Sequence, residues 1–207
     1  MKRKLLILFG ALVLVLSACG GNEGAEDASN QGNAEDMDVE EVTEDEEELV
    51  EDPVEAGNKS NEVKEFMDEF GEIYEIKEWY SSDETDDDGI NQIEFDGYKV
   101  NFSVALLEDM EGEQDIGFFV ETENGTDTTV QYNMDMEIIT DEQEQAETDD
   151  SYGIGESKPD VKTKGFVKTD LDYEAPESFE VTFEPPWDDD SEYDDEIGEE
   201  VEMKFSK

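Results

Sequence analysis

From residue 90 onward, apolar and polar residues alternate with a period of two. The longest run without a break carries apolar residues at Tyr98, Val100, Phe102, Val104 and Leu106. Successive side chains of a β-strand point to opposite faces of the sheet, so this period predicts a strand with one buried face. Asp96-Gly97, just before this run, is typical of a two-residue hairpin turn, and it would join the run to a shorter strand containing Ile93 and Phe95.

The alternation returns in five later segments. They are residues 116–120, 130–138, 161–167, 179–183 and 201–205. Asn124-Gly125 ends the first of them as a turn, and a long acidic loop is predicted from Thr140 to Lys158. Strands with one apolar face must bury that face on another layer, and two sheets do this for each other. We therefore predict a mostly β fold, an antiparallel β-sandwich over residues 81–207.

A helical period precedes these strands. Apolar residues stand at i, i+3, i+4 and i+7, namely Val63, Phe66, Met67 and Phe70. Ser60 is a suitable N-cap and Gly71 a suitable C-terminal stop, so we predict one short amphipathic helix over residues 59–70. Within the segment 58–80, this helix either docks on the following domain or binds a partner. Residues 73–80 either extend the helix or form a first strand.

Residues 19–57 are predicted to form a disordered acidic linker. Between residues 20 and 57 there are sixteen Asp or Glu residues and no Lys, Arg or aromatic residue. Such a segment cannot bury enough apolar surface to offset the entropy lost on ordering. Repulsion between its like charges keeps it extended, as in a spacer that holds a domain away from a surface.

The first residues have the features of an export signal. Lys2, Arg3 and Lys4 precede an apolar run from residue 5 to residue 16, which is too short to cross a bilayer as a helix of about 20 residues. The run ends in Leu16-Ser17-Ala18-Cys19, which resembles the lipobox of bacterial lipoproteins. The resemblance implies that residues 1–18 are removed, that Cys19 is lipidated, and that the protein is attached to the extracytoplasmic face of the cell membrane.

The charge of the chain restricts its partners. There are 64 acidic and 13 basic residues, and the net charge of −51 falls to about −54 once the three positive charges of the signal are removed. A polyanion repels nucleic acid, so no nucleic-acid partner is expected. The acidity is interpreted first as adaptation to a saline habitat, because about 1 M salt shortens the Debye length to about 3 Å. The alternatives are specific cation binding and a general solubility device or wall-spacing brush.

No catalytic motif is found. The chain has no His, and Cys19 is its single cysteine. Ser-His-Asp, Cys-His and zinc chemistry therefore lack their residues in the mature chain, and no disulfide can form within it. A pair of carboxylates could act as acid and base, but no apolar setting that would raise the pKa of one of them stands out. We predict that the protein is not an enzyme and needs no cofactor, with calcium as the one metal to consider.

Four sequence stretches resemble a known family of β-sandwiches. They are FFVETEN at 118–124, MDMEIITD at 134–141, KGFV at 164–167 and FEVTFEPP at 179–186. Their order after a lipobox and an acidic linker resembles the immunoglobulin-like, telokin-like domain of many Gram-positive lipoproteins, over about residues 90–207. The resemblance implies an immunoglobulin-like sandwich and an envelope location. It implies no activity and carries over no catalytic residue.

Two acidic loops are candidate calcium sites, because oxygen-rich loops suit hard cations. In the first, Glu84, Asp86 and Asp88 stand at positions 1, 3 and 5 of an EF-hand-like loop, but Phe95 takes position 12, where a Glu is needed. The alternative is a solvated turn before a strand. The second loop contains Asp188, Asp189 and Asp190.

The scarce basic residues and one Trp are candidate ligand contacts. Lys162, Lys164 and Lys168 share one face of a predicted strand. One interpretation is an outward face paired with acidic neighbours, or an edge strand protected by Lys. The other is a patch for an anionic ligand such as a cell-wall polymer. Trp187 is either an exposed contact residue or the closure of the sandwich core.

The sequence therefore predicts a membrane-anchored extracytoplasmic lipoprotein with a non-catalytic binding or structural role. Its partners would be the membrane, through lipid on Cys19, and an envelope protein or cell-wall polymer. The alternative is a calcium- or cation-responsive envelope module that uses the acidic loops.

Overall fold

A computed structural model of the chain describes residues 49–142, 144–147, 150–152, 154–171, 175–191 and 195–207. Helix α1 is Pro53–Gly57, and a single 3-10 turn spans Lys59–Asn61. The first strands are β1 (Glu65–Met67), β2 (Ile73–Tyr80), β3 (Asn91–Phe95), β4 (Tyr98–Asp109), β5 (Gln114–Asn124), β6 (Val130–Tyr132) and β7 (Met136–Thr140). The later strands are β8 (Gln145–Glu147), β9 (Asp150–Tyr152), β10 (Gly155–Ser157), β11 (Lys162–Asp170), β12 (Ser178–Phe183), β13 (Trp187–Asp188) and β14 (Val201–Ser206).

The strands form an antiparallel β-sandwich, as the alternation predicted. The large sheet has the order β1-β2-β4-β5-β11-β9, with β3 also paired to β4. Two smaller sheets, β14-β12-β7-β8 and β10-β6-β13, pack against one face of the large sheet. Aromatic pairs join the layers: Phe102 lies 5.1 Å from Phe183, and Tyr98 lies 5.5 Å from Tyr132, between ring centroids. These side chains belong to the main core of the sandwich.

The segment 130–138, which alternates throughout, contains two strands. We predicted one strand there, but β6 belongs to one small sheet and β7 to the other. Between them Met134 has a φ of 57°, in the left-handed region. Val130, Met134 and Ile138 are all buried, so the alternation of burial continues across the break. A change of sheet that preserves this alternation leaves no signal in the hydrophobic pattern.

The prediction of a helix over residues 59–70 is wrong. The helix lies earlier, where Asp52 Oδ1 accepts hydrogen bonds from the Val54 and Glu55 backbone N–H groups, and β1 occupies part of the predicted span. After the 3-10 turn, Glu62 adopts a φ of 55°, which ends helical geometry. The helical spacing failed because Phe66 faces the protein while Phe70 is 64% exposed in a turn. Of the two alternatives for residues 73–80, the strand is correct.

The large sheet is apolar on both faces, which the sequence did not suggest. Its outer face, away from the main core, carries Ala105, Leu107, Phe119 and Phe166, all buried. Residues 49–67, here called the covering segment, cover this face, and their last three residues form β1 at the edge of the large sheet. Phe66 from this segment packs between the sheet residues, with its ring 5.1 Å from Phe119 and 4.9 Å from Phe166. The segment predicted as the end of a disordered linker is therefore part of the folded domain from about residue 49.

Helix α1 approaches the outer face with its backbone. A Cβ atom added at Gly57 would lie 2.5 Å from Phe119 Cβ and 2.7 Å from Ser103 Oγ, closer than real Cβ contacts. Glycine at this position therefore allows the short helix to lie directly on the sheet.

The acidic stretch from Thr140 to Lys158 is not a loop throughout, as was predicted. The short strands β8, β9 and β10 lie within it and extend all three sheets. Strand β13, which adds an edge to the smallest sheet, was also missed. These strands are two or three residues long, which is too short for a period-two pattern to be recognised.

Buried tyrosines make the fold sensitive to alkaline pH. Burial raises the pKa of Tyr98 to about 12, and it raises the pKa values of Tyr74, Tyr80 and Tyr132 still further. The unfolded chain would release these protons near pH 10 while the folded chain keeps them. The stabilisation that these tyrosines contribute is therefore fully present below about pH 10. It is lost as the pH rises toward their pKa values in the folded state.

We expect the midpoint of denaturant unfolding to fall steeply between about pH 10 and pH 12. Circular dichroism would follow unfolding, and absorbance near 295 nm would follow tyrosinate formation. The chain has seven tyrosines, and the tyrosinate absorbance of the four buried ones should appear only as the chain unfolds. Ionisation of more than the three other tyrosines in a chain that keeps its folded spectrum would contradict the burial of these hydroxyl groups.

Candidate functional site

The first acidic loop is the connection between β2 and β3. Asp86 Oδ1 accepts hydrogen bonds from the backbone N–H groups of Asp88, at 3.0 Å, and Ile90, at 2.8 Å. The backbone N–H of Glu84 donates to the Ser82 hydroxyl at 3.1 Å. The Asp86 carboxylate therefore holds its own turn in place.

The second acidic loop follows β13. Asp188 Oδ1 accepts from the Asp190 backbone N–H at 2.9 Å, and Asp190 Oδ2 accepts from the Thr129 backbone N–H at 3.0 Å. Asp189 is exposed and its backbone N–H donates to the Thr129 carbonyl at 2.9 Å. Across the described residues, no three Asp, Glu or Cys side chains come together as metal ligands. Calcium binding by either loop stays a prediction.

The turn at Asp86 occurs three times in the large sheet. Asp68, Asp86 and Asp109 each begin an Asp-x-x-Gly sequence between two consecutive strands. In each turn the Asp Oδ1 accepts from the backbone N–H four residues later, at 2.9, 2.8 and 2.8 Å respectively. The glycines have φ values of 83°, 87° and 86°. The acidic stretch interpreted as a possible calcium loop thus shares its geometry with the hairpin turns at Asp68 and Asp109.

The three lysines of β11 all have acidic partners. Lys162 Nζ lies 2.8 Å from Glu121 Oε1. Lys168 Nζ is 3.5 Å from Asp115 Oδ2 and 5.5 Å from the centre of the Tyr74 ring. This is the outward face paired with acidic neighbours that one of the two interpretations predicts, and it leaves less positive charge for an anionic ligand.

The third lysine of the strand joins the covering segment to the sheet. Lys164 Nζ lies 2.6 Å from Asp52 Oδ2, and this hydrogen bond holds the pKa of Asp52 below its ordinary value. The same carboxylate caps helix α1 through its other oxygen. Because both side chains are partly exposed, the ion pair contributes less than about 1 kcal/mol, and apolar contacts hold the segment more strongly.

Trp187 is half-buried at the edge of the smallest sheet, where it pairs with Gln131 and bridges to Glu196. It lines an open groove of about 790 Å³. The other lining residues are Glu184, Pro185, Glu196, Gly198, Glu199 and Glu200. Trp187 is not among the side chains of the main core, and its role as a contact residue stays a prediction.

A further cavity lies between the covering segment and β11, where sequence reasoning had placed no site. Its volume is about 390 Å³. Its lining residues are Glu51, Pro53, Phe66, Met67, Asp68, Glu69, Gly71, Lys164, Gly165 and Phe166. Lys164 was a candidate ligand contact in the sequence. The other lining residues are its neighbours only because the covering segment folds over the sheet. The Asp-x-x-Gly turn was visible in the sequence, whereas the burial of Asp68 was not.

Neither a comparison with models of known protein families nor a comparison with curated proteins gives a match. Within the described part of the chain, no helix is long and apolar enough to cross a membrane. Cys19, the predicted lipidation site, lies outside the described residues.

Proposed function

We propose that this protein is exported, anchored by lipid on Cys19, and acts without catalysis as a binding or structural module on the outer face of the cell membrane. The observation that carries the proposal is the sequence Leu16-Ser17-Ala18-Cys19 after a basic start and an apolar run. The chain order supports it. An acidic stretch follows Cys19 in the sequence, and the described residues from 49 onward form a β-sandwich. In the proposal the domain is an immunoglobulin-like, telokin-like one.

Attachment through Cys19 needs more than one acyl chain, since a single chain binds a membrane only marginally. A diacylglyceryl group on the cysteine meets this requirement. The residues between Cys19 and the sandwich then act as a spacer, and their acidity favours an extended form. The partner would be an envelope protein or a cell-wall polymer within reach of that spacer.

Lipid attachment can be tested by expressing the full chain in a Gram-positive host supplied with radiolabelled palmitate. The wild-type protein should incorporate label and sediment with membranes until detergent is added. The Cys19→Ala variant should incorporate no label and migrate as the longer precursor. Equal labelling of the two proteins, or an unlabelled wild-type protein, would contradict the proposal.

The second candidate is a cation-responsive envelope module, favoured by the excess of 64 acidic over 13 basic residues. Carboxylates that repel one another destabilise the compact state, and cations relieve this repulsion. Circular dichroism of residues 20–207 against NaCl, with and without calcium at matched ionic strength, separates general screening from specific binding. Folding by calcium where NaCl has no effect would favour this candidate over the first.

A further inference from the structure

Strand β14 forms one edge of the four-stranded sheet and pairs with β12 on one side. At its end, Ser206 exchanges two backbone hydrogen bonds with Ser81, at 2.9 and 3.0 Å, on the side away from β12. Alternate residues of a strand direct their backbone groups to opposite sides, so Glu202 and Lys204 direct theirs to the same side as Ser206. Among the described residues, no backbone hydrogen bond reaches Glu202 or Lys204 from that side. This part of the edge can therefore accept another strand.

The side chains of this edge carry one charge of each sign. Glu202 and Lys204 are exposed on the outer face of the sheet, whereas Met203, between them, is buried in the main core. Lys204 Nζ lies 3.2 Å from Glu180 Oε1, but the lysine side chain is still 67% exposed and can contact a further carboxylate. Opposite charges that face each other across antiparallel strands stabilise the pairing, and like charges destabilise it. A strand that fits this edge therefore places a positive residue opposite Glu202 and a negative residue opposite Lys204.

The sequence of β14 meets this requirement itself when it runs in the opposite direction. If two copies of β14 pair antiparallel about a two-fold axis at Met203, Glu202 of each copy lies opposite Lys204 of the other. Both residues direct their backbone groups toward the partner, so each such pair can exchange two backbone hydrogen bonds. The strand is therefore complementary to itself, as a two-fold interface requires.

The neighbouring registers fit less well. An axis at Glu202 places this carboxylate opposite its own copy, and an axis at Lys204 does the same with the ammonium group. The second of these registers also places the glutamate opposite Ser206, whose backbone groups already bond to Ser81. With the axis at the central methionine, the copy of β14 starts at Val201, one residue after the position that would lie opposite Ser206. The paired segment therefore ends just before the bridge to Ser81.

We infer that β14 binds β14 of a second copy of this chain, antiparallel and with the two-fold axis at Met203. The two four-stranded sheets then join into one continuous sheet of eight strands. Backbone hydrogen bonds supply the attraction, and the two pairs of Glu202 with Lys204 fix the register. This inference goes beyond the anchoring proposed above and does not depend on lipid at Cys19.

Repulsion between the two copies makes this association depend on salt. Residues 19–207 with Cys19→Ser, which keep every described residue, carry a net charge of about −54, because the chain has −51 and the signal +3. Two such chains repel each other over a distance that salt shortens. Sedimentation equilibrium should show a monomer–dimer equilibrium in about 0.5 M NaCl that shifts toward monomer in about 0.05 M NaCl. A chain that stays monomeric up to about 1 mM at the higher salt overturns the inference.

Charge reversal tests the pairing of Glu202 with Lys204. Either Glu202→Lys or Lys204→Glu makes both pairs like-charged and should weaken dimerisation at least about tenfold, whereas the two changes combined should restore it. Glu137→Lys is the matched control, because it makes the same change of net charge at an exposed position of β7, inside the same sheet. Circular dichroism shows that each variant keeps the fold. Equal dimerisation in Glu202→Lys and Glu137→Lys overturns the inference.

Cysteine cross-linking tests the register without reversing a charge. One chain carries Glu202→Cys and the other Lys204→Cys, both with Cys19→Ser. Opposed Cα atoms of a hydrogen-bonded pair are about 5.5 Å apart, within the range that a disulfide spans. Under mild oxidation the mixture should form disulfide-linked dimers, which keep one pair of Glu202 with Lys204, and each variant alone should form few. Cross-linking of one variant alone as efficient as in the mixture, or no cross-linking in the mixture, overturns the inference.

Discussion

Phe102→Ala is expected to lower the free energy of unfolding by about 3–5 kcal/mol. Phe102 is 1% exposed in β4, and its ring lies 5.1 Å from that of Phe183 and 6.1 Å from that of Phe205. Those partners belong to the opposing sheet, so truncation opens a cavity where the layers meet. Domains of this size are stable by about 5–15 kcal/mol in total, and the variant would be close to unfolding.

Urea denaturation followed by tryptophan fluorescence and circular dichroism measures this loss. Met110→Ala is a suitable control, because Met110 is 84% exposed at a turn and its truncation should change stability by less than about 0.5 kcal/mol. A loss below about 1 kcal/mol for Phe102→Ala would mean that the two layers do not meet at this ring.

Phe66→Ala is expected to release the covering segment and to cost about 3 kcal/mol of stability. Phe66 is 1% exposed and contacts the rings of Phe119 and Phe166, whereas the nearby ion pair of Lys164 with Asp52 is partly exposed and weak. Removing the ring therefore removes the main attachment of the segment. The outer face of the large sheet then becomes accessible, while the main core keeps its contacts.

Hydrogen exchange with mass spectrometry distinguishes this local release from global unfolding. Exchange in residues 49–67 should rise strongly, while the amides of β12 and β14 keep their protection. Phe70→Ala provides the control, since it is the same substitution in a neighbouring residue that is 64% exposed. Unchanged protection of residues 49–67 in Phe66→Ala would show that the segment is held in another way.

The sequence was most informative where one period controlled a long segment. The alternation from Tyr98 to Leu106 placed β4, and Asp96-Gly97 formed the expected hairpin turn, with φ values of 45° and 101°. The burial of both faces of the large sheet was harder to predict from the sequence. Ala105, Leu107 and Phe119 stand at positions that a one-sided strand gives to solvent, and what covers them is a distant part of the chain. The period of a strand shows which of its residues share a face, but it does not show which distant segment packs on that face.

The helix prediction failed for a related reason. Four apolar residues at helical spacing also fit a short strand followed by a turn, and tertiary contacts of Phe66 decided between the two. Long-range contacts also determine which residues come together in the candidate sites. The lysines of β11 were recognised from the sequence as scarce, but their carboxylate partners come from β5, the covering segment and the turn after β1. The cavity at Asp68 exists only through such long-range packing, so no local pattern could indicate it.

The mass of the N-terminal peptide of the mature protein shows whether Cys19 carries lipid. Protein isolated from membranes would be digested and its N-terminal peptide analysed by mass spectrometry. Lipid anchoring predicts a peptide that begins at Cys19 and carries a diacylglyceryl group. A peptide that begins at Met1, or one that begins near residue 19 with an unmodified cysteine, would contradict it.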